Sequence, residues 1–179
     1  MKTILAVAAL ALACSSAWAE KADSLKRAEI GYVDIDIDEI SQTTTLAGDV
    51  TVSRGTLALA SDKAVLKESP EGFINVTLIA SPGKLATFRQ KRDGGGDLWI
   101  EGQAQRIEYD ERAEVVKLFG AAQVKQRQGS KVTEQLDSAY ISYDSRKEVM
   151  VARNDASGES KPGKGRGTLI LAPRATRPE

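Results

Sequence analysis

The chain has 179 residues, with 25 Lys and Arg balanced against 25 Asp and Glu, no histidine and a single cysteine, Cys14. Balanced charge excludes the broad basic field that nucleic-acid binding needs. Without histidine, and with no cysteine beyond Cys14, neither a Ser-His-Asp nor a Cys-His nucleophile can be assembled, and disulfides and the usual zinc sites are excluded from the rest of the chain. No enzyme activity, cofactor or metal is expected.

Residues 1–19 read as a cleavable secretory signal. Lys2 supplies the charged start, Ile4 to Ala13 the apolar run, and Ala17-Trp18-Ala19 the small-x-small cleavage site. The run is shorter than the roughly 20 apolar residues a membrane span needs. Cleavage is expected after Ala19. A lipidated Cys14 is the weaker alternative, because Ala11 stands where such signals favour leucine and a better ordinary site follows.

In the stretch "YVDIDID", Val33, Ile35 and Ile37 fall on one face of a strand and Asp34, Asp36 and Asp38 on the other. The aspartates superficially resemble the start of a calcium loop. However, Glu39 replaces the turn glycine and Thr45 the bidentate glutamate, so a solvated strand face is the better reading. In "GDVTVSRGTLALASDKAVL", residues 48–66, the apolar stripe changes parity from Val50 and Val52 to Leu57 and Leu59, and again to Ala64 and Leu66. Each change sends the stripe to the other face of a regular strand. Arg54-Gly55 and Ser61-Asp62 are therefore read as corners or bulges that keep it on one concave surface.

Ile74, Val76 and Leu78 alternate in the next strand, between turns at Pro70-Glu71-Gly72 and Ser81-Pro82-Gly83. Gly94 to Gly96 form a hairpin tip and lack the Lys-Ser/Thr of a phosphate loop. Trp99 lies between Leu98 and Ile100, so either face of its strand could be the buried one. Residues 110–120, "DERAEVVKLFG", contain helix formers but sit among strand-like flanks; they are read as a strand after a turn at Asp110 to Ala113.

A loose repeat leads from a polar-small stretch into an alternating strand in "ASDKAVLK", "AQRIEYD" and "DSAYISYD". Residues 154–167 are a loop or a wide hairpin whose "KPGKGRG" is either simply solvated or in contact with an anionic headgroup or acidic partner. A strand at 168–173 and a frayed tail at 174–179 complete the chain. The class is all-β, with one domain over 20–173. Few aromatics and many Val, Leu, Ile and Ala leave two interiors open, a filled core or an unfilled apolar groove.

Together, "GDVTVSRGTLALASDKAVL", "PGKLATFRQ", "IEGQAQRIEYD", "VVKLFGAAQVKQ" and "DSAYISYD" resemble, in order and spacing, the OstA-like family of periplasmic lipopolysaccharide-transport proteins. The chain departs from the family at Arg27 and Leu85, where proline is frequent. The resemblance implies a single open, twisted β-jelly roll of antiparallel strands with an apolar inner groove for the acyl chains of lipopolysaccharide. The expected groove residues are Val50, Val52, Leu57, Leu59, Leu66, Ile74, Val76, Leu78, Phe88, Ile107, Tyr109, Val116, Leu118, Ile141 and Tyr143. It further implies a bridge across the periplasm to the outer membrane, built by head-to-tail homo-oligomers. LptC would meet an N-terminal edge near Ile30, Tyr32 and Val33, and the LptD N-terminal domain a C-terminal edge at Thr168, Leu169, Ile170 and Leu171. The competing class is a secreted β-sandwich that binds protein or carbohydrate over a filled core, which has no reason to co-purify with lipopolysaccharide.

Overall fold

The computed structural model describes Asp23, residues 26–94 and residues 96–173; the signal segment, Cys14 and the tail at 174–179 lie outside the described residues. The strands are β1 (Ala28–Gly31), β2 (Asp34–Asp38), β3 (Thr43–Arg54), β4 (Leu57–Glu68), β5 (Ile74–Ile79), β6 (Ala86–Lys91), β7 (Leu98–Ala104), β8 (Arg106–Asp110), β9 (Val115–Gln128), β10 (Lys131–Asp144), β11 (Val149–Arg153) and β12 (Thr168–Leu171). The stretch at 110–120 is a turn leading into β9, and the last strand stops at Leu171, short of the expected 173.

All pairings are antiparallel, and they follow one rule. A long strand is flanked by two short ones, each taking half of it: β1 and β2 along β3, β5 and β6 along β4, β7 and β8 along β9, and β11 and β12 along β10. The chain is thus a meander folded once across its strands, giving two layers. The first holds β2, β5, β8 and β11, and the second holds β1, β6, β7 and β12; β3, β4, β9 and β10 run through both.

The crease has a specific construction. In β3, Gly48 and Asp49 together oppose the single residue Asp62 of β4; in β9, Gly120 and Ala121 together oppose Ala139 of β10. All four bulge residues have positive φ, at 80°, 45°, 73° and 47° in chain order. Such a two-against-one bulge bends a strand and raises its twist. At Gly48 glycine is also required by space, because an added Cβ would lie 2.6 Å from Val33 Cβ. Bonds along the crease hold it, among them Ala80 N–H to Gln105 O at 3.0 Å and Gln105 N–H to Gly120 O at 2.9 Å. Asp62 adds a tie by accepting from Lys84 Nζ at 2.5 Å and Ser81 N–H at 2.8 Å. The Lys84 bond, followed by the Ser81 bond, holds the Asp62 carboxyl below the usual range.

This construction explains the parity changes. The bulged strands carry the extra residue and keep even parity through the crease, with Leu46, Val50 and Val52 buried in β3 and Val116, Leu118, Ala122 and Val124 in β9. Their partners lack it and must switch, from Leu59 to Ala64 in β4 and from Leu136 to Ile141 in β10. Ser61-Asp62 is a corner, but the extra residue lies on the neighbouring strand. Arg54-Gly55 is not a bulge: Gly55 and Thr56 form the two-residue turn of the β3–β4 hairpin, and Arg54 pairs with Leu57. The three repeats place Ala64, Ile107 and Ile141 in one row just past the crease.

Candidate functional site

Residues opposed across antiparallel strands share a face, with Cβ atoms about 4.5–5.5 Å apart. Tracing opposed residues gives continuous rows from one end of the sheet to the other. In the second layer the row is Ile30, Val52, Leu59, Phe88, Gly102, Val124, Leu136 and Leu169. In the first it is Ile35, Leu46, Ala64, Leu78, Ile107, Leu118, Ile141 and Ala152. A second row there contains Leu66, Val76, Tyr109, Val116, Tyr143 and Met150.

The rows of the two layers face one another and close. Val50, Val52, Leu57, Leu59, Leu66, Val76, Leu78, Phe88, Ile107, Val116, Leu118, Ile141 and Tyr143 are all buried in one cluster, while Ile74 and Tyr109 are half-buried against it. Phe88 shows how closely the layers meet. A Cβ on Gly102 would lie 2.1 Å from Phe88 Cε1 and 2.9 Å from Leu118 Cδ2, so the ring lies over the glycine and beside the opposite layer. Leu46, Ala64, Ala86, Ile100, Ala104, Ala122 and Val124 belong to the same cluster and are absent from the sequence-based set. Carrying the even parity of Val50 back to Leu46, and that of Leu118 on to Ala122 and Val124, would have found three of them, in β3 and β9. The face of β7 is decided by Ile100, which is buried; Trp99 points outward under the Arg89 guanidinium, 4.0 Å from its ring centroid.

At the ends the apolar rows reach solvent. Ile35 is 39% and Ile37 66% exposed at one end, and Leu169 54% and Leu171 64% at the other. Ile30 is half-buried against the interior, while Tyr32 and Val33 occupy the exposed break between β1 and β2. Thr168 and Ile170 lie on the opposite face of β12 from Leu169 and are exposed. The C-terminal end also includes β11, which pairs on one side with β10 and was missing from the sequence-based edge.

Opposite the crease, the hairpin turns of the two layers meet, and the inner face changes character. The face that carries Val52, Phe88 and Val124 continues outward to Arg54, then Gln90 and Arg92, and Gln126. Arg54 pairs across the layers with Glu111, whose second oxygen accepts Ile74 N–H at 2.8 Å. Arg92 Nη2 reaches Glu148 of the first layer at 3.5 Å and its Nη1 donates to Gln126 Oε1 at 2.7 Å. Its Nε is buried without a hydrogen-bond partner among the described residues. Burial, then the neighbouring Glu111, pushes the Tyr109 hydroxyl up to about 12. The rows offer a surface for hydrocarbon, with the charged groups at its margin.

Residues 33–149 match the family model described as LptA/(LptD N-terminal domain) LPS transport protein. The chain belongs to this family. Among LptA/LptD N-terminal family relatives, the lipopolysaccharide export system protein LptA of Haemophilus influenzae is 26% identical over 95% of this chain and 91% of its own length. LptA of Escherichia coli K12 is 33% identical over 50% of this chain and 47% of its own. The fold is shared with the crystal structure of LptH, the LptA homologous periplasmic component of the lipopolysaccharide transport device of Pseudomonas aeruginosa. That likeness has a TM-score of 0.72 at 21% identity and covers 84% of this chain and 99% of LptH.

Proposed function

We propose that this chain binds lipopolysaccharide by its acyl chains and relays it across the periplasm as one unit of a protein bridge, without catalysing a reaction. The observation that carries this reading is the pair of apolar rows that run unbroken between the two ends of the sheet and come to the surface at both. An acyl chain of about a dozen carbons costs on the order of 10 kcal/mol to leave in water, at about 0.8 kcal/mol per methylene. The rows remove most of that cost. Because the layers close on one another, entry of lipid exchanges protein–protein for protein–lipid contact with little net exposure of apolar surface. The ion pairs Arg54–Glu111 and Arg92–Glu148 along the mouth are among the polar contacts that separate as the layers part.

Stacking follows from the same rows. β1 and β2 at one end, and β11 and β12 at the other, pair with a strand on one side. Open edges ordinarily invite aggregation, but here a further sheet adds to them and continues the apolar surface. In this reading LptC meets the β1–β2 end, the LptD N-terminal domain or another copy meets the β11–β12 end, and the precursor is cleaved after Ala19 on export. A photo-crosslinker at Leu59, which is buried inside, is expected to capture lipopolysaccharide in cells, whereas one at Thr51, on the outer face of the neighbouring strand, is not. Equal capture at both positions would remove the distinction on which the reading depends.

A further inference from the structure

The interior has a polarity gradient in depth as well as continuity in length. From the crease outward, one face of β3 reads Val50, Val52, Arg54, and one face of β6 with its turn reads Phe88, Gln90, Arg92. An amphiphile inserted between the layers would meet hydrocarbon first and two guanidinium groups at the mouth. Arg54 and Arg92 are largely sheltered, with side chains 24% and 19% exposed. Each now faces a carboxylate of the opposite layer, Glu111 and Glu148. Arg92 is incompletely satisfied, because its Nε is buried without a partner among the described residues and its ion pair is long, at 3.5 Å.

We propose that Arg54 and Arg92 form the headgroup subsite, taking the phosphate groups of an anionic glycolipid whose acyl chains lie between the layers. This rests on the acyl-chain reading above and adds the cations that orient the lipid. When the layers part, Glu111 and Glu148 move away with the first layer, and the two ion pairs across the mouth separate. A phosphate supplies several acceptor oxygens in the fork geometry that arginine matches. The subsite therefore couples opening to headgroup capture, with the glutamates holding the mouth shut in the empty protein.

The test compares binding of diphosphorylated and dephosphorylated lipid A, in the same detergent, to the mature chain and to Arg92→Gln and Glu148→Gln. Arg92→Gln is expected to weaken the diphosphorylated lipid roughly tenfold and leave the dephosphorylated lipid unchanged. Glu148→Gln, at an exposed turn position, is expected to strengthen the diphosphorylated lipid and keeps the test meaningful if Arg92→Gln does not fold. Inorganic phosphate at matched concentration is expected not to compete, because it lacks the acyl anchor. If wild type binds both lipids equally, or if Arg92→Gln weakens both alike, the headgroup subsite is wrong while acyl-chain binding stands. Full competition by inorganic phosphate would instead mark a simple anion site and overturn the proposal. Binding of neither lipid would overturn the acyl-chain reading itself, and the subsite with it.

Discussion

Phe88 and Gly102 make the interior sensitive to a single methyl group. The ring occupies the volume that a side chain at 102 would need, and neither layer can retreat without opening the rows beside it. Gly102→Ala is expected to destabilise the fold by about 1–3 kcal/mol, the usual range for overpacking a core, measured by denaturant unfolding. Phe88→Leu in the same chain should recover part of the loss. Tyr109 gives a pH signature at the same scale. Its raised ionisation, to about 12 against the ordinary 10.0 of a tyrosine, favours the neutral hydroxyl in the folded state. The associated stability is present below pH 10, falls as pH rises toward 12, and should be absent from Tyr109→Phe in unfolding curves collected across that window.

At the scale of elements, the crease bulges set which half of each strand faces inward. Deleting Asp49 would leave Gly48 alone opposite Asp62 and remove the two-against-one bulge that bends β3 at the crease. Loss of cooperative unfolding is expected for that deletion, whereas one added glycine in the Gly94 to Gly96 turn, beyond the ends of β6 and β7, should change the midpoint little. The same bulges explain what could be read from sequence. Alternation within one strand, as in Ile74, Val76 and Leu78, was plain because the signal lies in consecutive residues. The switch in β4 was visible as a change of beat at Ser61-Asp62, but its cause, the extra residue at Gly48-Asp49, lies in another strand. Pairing is a relation between segments that neither segment displays alone. For the same reason the interior residues were largely legible, and the mouth was not: Arg54 and Glu111 are far apart in sequence and neither looks unusual where it stands. Closure of the interior also needed the structure, since a filled core and a groove share the same periodicity.

For the molecule as a whole, the two ends decide behaviour in solution. Strand N–H groups alternate direction from residue to residue, so proline at Leu169 and proline at Ile170 remove, between them, one bond to β10 and one donor of the free edge. Light scattering is expected to show that both substitutions lower the oligomer size, and that one of them does so without loss of thermal stability. Unchanged size in both would argue against assembly through β12. The meander has one more consequence, for how the chain is made. Each strand or split pair bonds only to the segments before and after it, and no pairing waits for the distant terminus. Such neighbour-by-neighbour order is the situation of a repeat array, in which structure can nucleate locally and propagate. The chain can therefore add one rung at a time as it folds, every intermediate presenting the same kind of unfinished margin as the completed molecule.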